Sequence, residues 1–265
     1  GRRYVKVMIT STANPQVKNL QQLMKKSSVR SAQDIFLVEG MKMYLEAPRE
    51  RIHKIYVSKS LYEEKGQAFF DGVPMEVLDD RVYAAVSDTK TPQGILCLLR
   101  QYHYTLEDLT KKRHPFLLIL ENLQDPGNLG TILRTAEGAG ADGIILSRDS
   151  VDIYNPKTIR ATMGAVYRMP FFYVENLKVF LPELEQRGIR TYAAHLQGKN
   201  CYDEEDYKGG TAFLIGNEGN GLTEELSSKA DVWVRIPMHG KLESLNAAVA
   251  ASILMYEVCR QRRKK

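Results

Sequence analysis

Towards its C-terminal end the chain changes character twice in quick succession. Val232 to Ile236 is a largely apolar, β-branched run, Pro237 ends it, a polar loop follows, and from Leu245 to Cys259 only Glu257 carries a charge. The pattern predicts a strand, an exposed loop and a buried helix. A helix that is apolar on every side must be covered on every side, and Ala247, Ala248, Ala250 and Ala251 are small enough to let neighbouring backbones come close. Ser244 is placed to cap this helix, because a serine oxygen accepts from the unpaired N–H groups of a first turn. Asn246, an amide expected to be buried in that turn, needs hydrogen-bond partners. Strand, polar loop and helix start together make a ligand edge of the kind found at the carboxyl ends of strands in open α/β sheets.

The rest of the chain alternates in the same way. Asn14-Pro15 reads as a helix start, with Val17, Leu20, Leu23 and Met24 on one face. Strands follow at 35–38, 52–57, 74–78 and 94–99, and helices at 41–46, 61–70 and 80–86, which describes a compact α/β domain. Residues 101–114 are polar, contain Lys111-Lys112-Arg113, and are the expected linker. Beyond them, strands at 116–120, 143–146, 170–174, 191–195, 211–215 and 232–236 alternate with helices at 128–139, 156–163, 176–186 and 223–230. The expected architecture is α/β: residues 1–100 a small domain, 101–114 a linker, and 115–265 a second domain on a mostly parallel sheet.

A chain of 265 residues can hold one large or two ordinary domains, and 43% hydrophobic residues provide for a sizeable core. No segment has the apolar length to span a bilayer, and the N-terminal residues lack the apolar core of a signal peptide, so the expected location is cytoplasmic. Cys97, Cys201 and Cys259 are odd in number and lack metal-like spacing, so neither a disulfide framework nor a zinc site is expected. The net charge is +5 and unevenly placed: residues 1–114 hold 19 Lys and Arg against 13 Asp and Glu, residues 115–265 hold 18 against 19. Arg2, Arg3, Lys6, Lys18, Lys25, Lys26 and Arg30 precede the first acid, Asp34, and the chain ends on a basic run from Arg260 to Lys265. A basic front domain favours a polyanion such as nucleic acid. Tyr4, Tyr44, Tyr102 and Tyr104 lie in or beside it as candidates for stacking on unpaired bases.

One glycine pattern misleads. Gly138-Ala-Gly140-Ala-Asp-Gly143 has the spacing of a dinucleotide fingerprint, but it follows a helix and precedes a strand. The fingerprint needs the reverse order, so these glycines end a helix and turn into the next strand. Three other polar segments stand at strand ends: Glu121 to Arg134, Ile215 to Leu222, and the loop from Ile236 into the last helix. Together, and in this order, they resemble the three signature motifs of the SpoU/TrmH family, the RNA 2′-O-ribose methyltransferases of the SPOUT superfamily. Asn14-Pro-Gln-Val-Lys, Phe36-Leu-Val-Glu-Gly40 and Thr91-Pro-Gln-Gly94 are similar to the ribosomal-protein-like substrate-binding domain that precedes many of these enzymes.

The resemblance implies a trefoil-knotted SPOUT methyltransferase domain behind a small RNA-binding domain, a homodimer, and S-adenosyl-L-methionine as cofactor; no metal is expected. It places the cofactor at Gly216, Ile236, Met238 and Leu245, with Leu196 beside them. Methyl transfer to a ribose hydroxyl needs the proton removed or the developing anion stabilised. The resemblance gives that task to Arg134, with Asn128 holding the local structure. A free guanidinium does not lose its proton in water-like surroundings, so two roles stay open for Arg134, base or electrostatic stabiliser, with Glu218 or an RNA phosphate organising proton removal. Ser244 and Asn246 match the polar pair of the third motif and would hold the loop and target ribose. Thr162-Met-Gly164 departs mildly from the family's serine, small residue and glycine. The implied substrate is large-subunit ribosomal RNA. Alternatives are a transfer-RNA 2′-O-methyltransferase, a base methyltransferase of the same superfamily, and a non-catalytic RNA-binding assembly factor, which predicts decay at Arg134, Glu218 and Asn246.

Overall fold

The computed structural model describes residues 7–263, so Arg2, Arg3, Tyr4, Lys6, Lys264 and Lys265 lie outside the described residues. The chain divides into two compact units, Gly1–Tyr102 with Tyr154–Arg160, and His103–Ile153 with Ala161–Lys265.

The first unit runs α1 (Pro15–Lys25), α2 (Ser27–Gln33), β1 (Ile35–Glu39), α3 (Met41–Glu46), β2 (Ile52–Ser58), α4 (Lys59–Lys65), β3 (Met75–Leu78), α5 (Asp80–Val86) and β4 (Ile95–Arg100). Its sheet has the order β1-β4-β2-β3, antiparallel at both pairings of β4 and parallel between β2 and β3. Asn14 caps α1 by accepting from the Gln16 N–H at 2.8 Å, and the apolar face of α1, Val17, Leu20 and Leu23, is buried with Leu37, Tyr56, Val82 and Leu98.

Four expectations change here. The helix expected over 61–70 stops at Lys65, because Gly66 sits at φ +83°, and a short 3-10 turn covers Gln67–Phe70. The polar segment 27–33, read as no element, is α2. Arg30 on it is not part of a basic surface: it is buried and its guanidinium donates to the carbonyls of Leu23 (2.9 Å) and Met24 (3.3 Å). Tyr44 and Tyr102 are buried too, and therefore closed to stacking on nucleotides.

The second unit contains α6 (Leu106–Leu109), β5 (Phe116–Leu120), α7 (Pro126–Ala139), β6 (Gly143–Ser147), the end of α8 (Pro156–Thr162), β7 (Phe171–Val174), α9 (Leu177–Gln186), β8 (Ile189–Ala194), β9 (Asn200–Cys201), β10 (Gly210–Ile215), α10 (Glu224–Ser227), β11 (Val232–Arg235) and α11 (Ala247–Arg263). The sheet order is β7-β6-β5-β10-β8-β11-β9 and every pairing is parallel. Central β5 is buried at all five positions, as expected for a strand covered on both faces. The stretch expected to be a linker belongs in part to this core. Leu106 and Leu109 of α6 are buried in it, and Leu109 lies so close to Gly143 that a Cβ there would meet its side chain at 2.1 Å.

Gly140 ends α7 in the left-handed region (φ 82°), its N–H returning to the carbonyls of Ala136 and Glu137, which is the helix-to-strand turn read from the glycine pattern. At the end of α8, Met163 (φ 50°) and Gly164 (φ 91°) both take positive φ. Among the described residues no helix is long and apolar enough to cross a membrane.

Candidate active site

Strands β5, β10, β8 and β11 are consecutive and parallel, so the residues that follow them, Glu121, Gly216, His195 and Ile236, emerge on one edge of the sheet. A cleft of about 390 Å³ opens on this edge. All five residues expected at the cofactor, Leu196, Gly216, Ile236, Met238 and Leu245, line it, as do Glu218 and Ser244.

The loop after β10 is built to be close-packed. Asn217 and Gly221 pair across a tight turn (Asn217 N to Gly221 O 3.1 Å, the reverse 2.8 Å), and Asn217 Oδ1 accepts from the N–H groups of Gly219 and Asn220. A Cβ on Gly216 would lie 2.1 Å from the carbonyl carbon of Gly221, so only glycine fits under this turn. Gly221 itself takes φ 68°.

Glu218 points back to the segment before α7. Its carboxylate accepts from the N–H of Gln124 (3.0 Å to each oxygen) and of Asp125 (2.8 Å), and Asn128 donates to it as well. Partial burial works against its charge, but the backbone N–H groups of Asp125 and Gln124 and the Asn128 amide outweigh it and hold the carboxyl below the usual carboxylate range. Nearby, Glu121 accepts from Thr223 N and Oγ1, both at 2.8 Å, which ties the end of β5 to the start of α10.

Asn128 and Asn246 meet: Asn246 Nδ2 donates to Asn128 Oδ1 at 3.2 Å. Residues 128, 218 and 246, each from a different motif, are thereby joined in one chain of hydrogen bonds. The caps differ from expectation. The last helix starts at Ala247, and Asn246, not Ser244, caps it, its Oδ1 accepting from the N–H of Ala248 (2.8 Å) and Val249 (3.2 Å). Asn246 is exposed, not buried, so its first-turn role explains the amide without a buried cluster. Likewise α7 is capped by Asp125, which accepts from the Asn128 N–H at 2.8 Å.

Arg134 lies two turns further along α7, exposed, with no hydrogen-bond or ion-pair partner among the described residues. It is not drawn into the Glu218–Asn128–Asn246 chain. The last helix is also less covered than its composition suggested: Val249 is 49% and Tyr256 50% exposed in the single chain, and they share a face with half-buried Ser252 and Ile253.

Several contributors escape a reading of residue types. The N–H groups of Gln124 and Asp125 are backbone donors that no side chain announces. His195 stacks on Trp233 (ring centroids 4.1 Å apart, 17° between planes) in the cleft wall, its Nδ1 accepting from the Gln197 N–H. Away from the cleft, Cys201, Asp203 and Glu204 bring ligand atoms within 4.8 Å of one another, although Glu204 already accepts the Cys201 N–H as a turn cap.

Known proteins resemble this chain over nearly its whole length. Residues 115–256 match the SpoU rRNA Methylase family, and residues 14–97 match the MRM3-like substrate binding domain. The chain is 34% identical over 253 residues to 23S rRNA (guanosine(2553)-2′-O)-methyltransferase RlmP of Bacillus subtilis (strain 168), covering 94% of this chain and 98% of that protein. Among solved structures, the AdoMet-bound rRNA methyltransferase from Sinorhizobium meliloti superposes with a TM-score of 0.85 at 31% identity, covering 96% of this chain and 97% of that one. An RNA 2′-O ribose methyltransferase superposes with a TM-score of 0.80 at 30% identity, covering 97% and 99%.

Proposed function

From the premise that this chain belongs to the SpoU rRNA methylase family, we propose that it methylates a ribose 2′-hydroxyl of large-subunit ribosomal RNA, using S-adenosyl-L-methionine, through the cleft at the carboxyl ends of β5, β10, β8 and β11. The observation that carries this reading is the meeting of the second and third motif segments in one cleft, with the first tied to both by hydrogen bonds among Glu218, Asn128 and Asn246.

The cleft fits the cofactor. Its volume lies within the range of roughly 300–1,000 Å³ usual for small-molecule sites. Leu196, Ile236, Met238 and Leu245 offer apolar cover for an adenine, and the backbone of Gly216 and its neighbours offers polar groups at its edge. When bound, S-adenosyl-L-methionine supplies an electrophilic methyl group on a sulfonium sulfur.

The chain's own residues do the rest. Glu218, with its lone pairs committed to the donors of the 124–128 segment, acts as a clamp between the first two motifs and is a poor candidate for the base. Asn128 takes its orientation from Glu218 on one side and Asn246 on the other. Arg134, charged and uncommitted, stands ready for RNA: it positions a phosphate and stabilises the alkoxide that forms as the ribose proton leaves. Ser244, at the cleft rim, holds the loop against the target ribose.

The first unit selects the RNA through its basic surface. Two copies pair through the face of α11 that carries Val249 and Tyr256, which would cover apolar area the single chain leaves in water. The same family membership implies the trefoil knot in the second unit and a cytoplasmic enzyme acting on ribosomal RNA. The presence of Arg134, Glu218 and Asn246, one in each of the three motif segments, argues against the non-catalytic assembly factor.

The test is mass spectrometry of nuclease-digested ribosomal RNA after incubation with labelled cofactor, beside Arg134→Ala. A labelled 2′-O-methyl nucleoside that disappears in the variant is the expected result. A labelled base refutes ribose methylation, and RNA binding with neither label nor cofactor binding refutes the enzyme.

A further inference from the structure

The cofactor cleft is charged in one sense only. Of the described residues that line it, Glu218 and Glu243 are acidic and none is a lysine or arginine. The two acids are not equivalent. Glu218 is held by the N–H groups of Gln124 and Asp125 and by Asn128, which spread and offset its charge. Glu243 lies in the loop between β11 and α11, between the cleft residues Met238 and Leu245, is exposed, and has no hydrogen-bond or ion-pair partner among the described residues. Its carboxylate is tied into no ion pair among the described residues, and it lines the cavity that the proposed function gives to the cofactor.

Resting on that reading, we propose that Glu243 is the residue by which the cleft distinguishes the methyl donor from the spent product. The chemistry supplies the difference to be sensed. As the methyl group passes from sulfur to the ribose oxygen, the electron pair of the broken C–S bond stays on sulfur, a new O–CH₃ bond forms, and the hydroxyl proton leaves to solvent. S-adenosyl-L-methionine thus carries one more positive charge than S-adenosyl-L-homocysteine. A carboxylate lining the cleft attracts the sulfonium form and gains nothing from the thioether. The attraction is lost at the moment of transfer, which favours exchange of product for fresh donor. For a half-open cleft, where water and protein both screen, a unit charge several ångströms away changes the ratio of the two affinities by about three- to tenfold.

Calorimetric titration of the full chain with three ligands tests this: S-adenosyl-L-methionine, S-adenosyl-L-homocysteine, and sinefungin, an analogue with a protonated amine near the sulfonium position. In Glu243→Gln the two cationic ligands are expected to weaken about three- to tenfold while the homocysteine product changes less than about twofold, and Glu243→Lys is expected to weaken the cationic pair further still. The wild-type preference for the cationic ligands should shrink as salt is raised, because the carboxylate is exposed to screening. Equal changes for all three ligands, or no change, overturn the inference and leave the methyltransferase reading standing. A wild-type chain that binds none of the three overturns that reading itself, and this inference with it.

Discussion

Replacing Glu218 by Gln removes one charge and keeps the shape, so it isolates what the carboxylate does. Three N–H···O contacts, from Gln124 to both oxygens at 3.0 Å and from Asp125 at 2.8 Å, together with the Asn128 amide, depend on an acceptor-only group. Glutamine offers one acceptor oxygen and turns an NH₂ group towards donors, so at least one contact becomes unfavourable. Hydrogen bonds to a charged group contribute about 1.5–3 kcal/mol when shielded. Gln124 and Asp125 are exposed and their N–H groups can turn to water, which discounts the loss to about 1–2 kcal/mol overall. In a protein of this size that is a fall of about 2–8 °C in melting temperature. The pH dependence gives the sharper test. The folded-state pKa of Glu218 is depressed, so its stabilisation is complete above the unfolded value of about 4.3 and is lost as pH falls through the folded pKa. The gap between wild type and Glu218→Gln, read from urea midpoints at unchanged slope, should therefore be constant from pH 8 to about pH 5 and close at lower pH. A gap that persists unchanged to about pH 2.5, or no gap at neutral pH, refutes the clamp.

Arg134→Ala is expected to lower the methyl-transfer rate by about 10²–10³-fold, with the calorimetric affinity for S-adenosyl-L-methionine unchanged within about twofold because Arg134 does not line the cleft. Arg134→Lys should recover only part of the rate, since an ammonium lacks the planar fork that pairs with phosphate. Gly216→Ala puts a methyl group 2.1 Å from the backbone of Gly221 and Leu222; a loss of about 1–3 kcal/mol in urea unfolding is expected, with cofactor binding abolished. Asn246→Ala removes the cap of α11 and the link to Asn128, and should cost about 0.5–2 kcal/mol in the same assay. Val249→Glu places a charge on the exposed face of α11 and should convert a dimer to a monomer in light scattering, with little change in the helical signal by circular dichroism.

The elements that could be read from the chain are those whose cause is local. Asn14 and Pro15 start α1 through their own chemistry, and Gly140 ends α7 through its own φ angle. What could not be read depends on contacts made at a distance. Segment 27–33 has no apolar periodicity, and the tie that Arg30 makes to the carbonyls of Leu23 and Met24 joins residues on two successive helices. Leu106 and Leu109 sit among polar neighbours and look like linker residues until the start of β6, kept free of a side chain by Gly143, receives Leu109. The same division runs through the site. Residue types in the motif segments pointed to the cleft because glycine, amide and carboxylate chemistry is visible in letters. The donors that hold Glu218 are peptide N–H groups, which every residue but proline possesses, so no letter marks Gln124 or Asp125 as special.

Ser244 and Asn246 show how such a choice is made. Both can cap a helix, and sequence position alone favours the first polar residue before the apolar run. A cap with one free amide group can also bond elsewhere, and Asn246 donates to Asn128 while its oxygen accepts from Ala248 and Val249. A serine hydroxyl has a single proton and a shorter reach, so it could not serve both ends at this spacing. The helix therefore begins two residues later than the composition suggests, and Ser244 is left at the cleft rim, free of the capping task. The start of α11 and the first motif are fixed by one side chain, which makes the position of the third-motif loop dependent on Asn128 and, through it, on the carboxylate of Glu218.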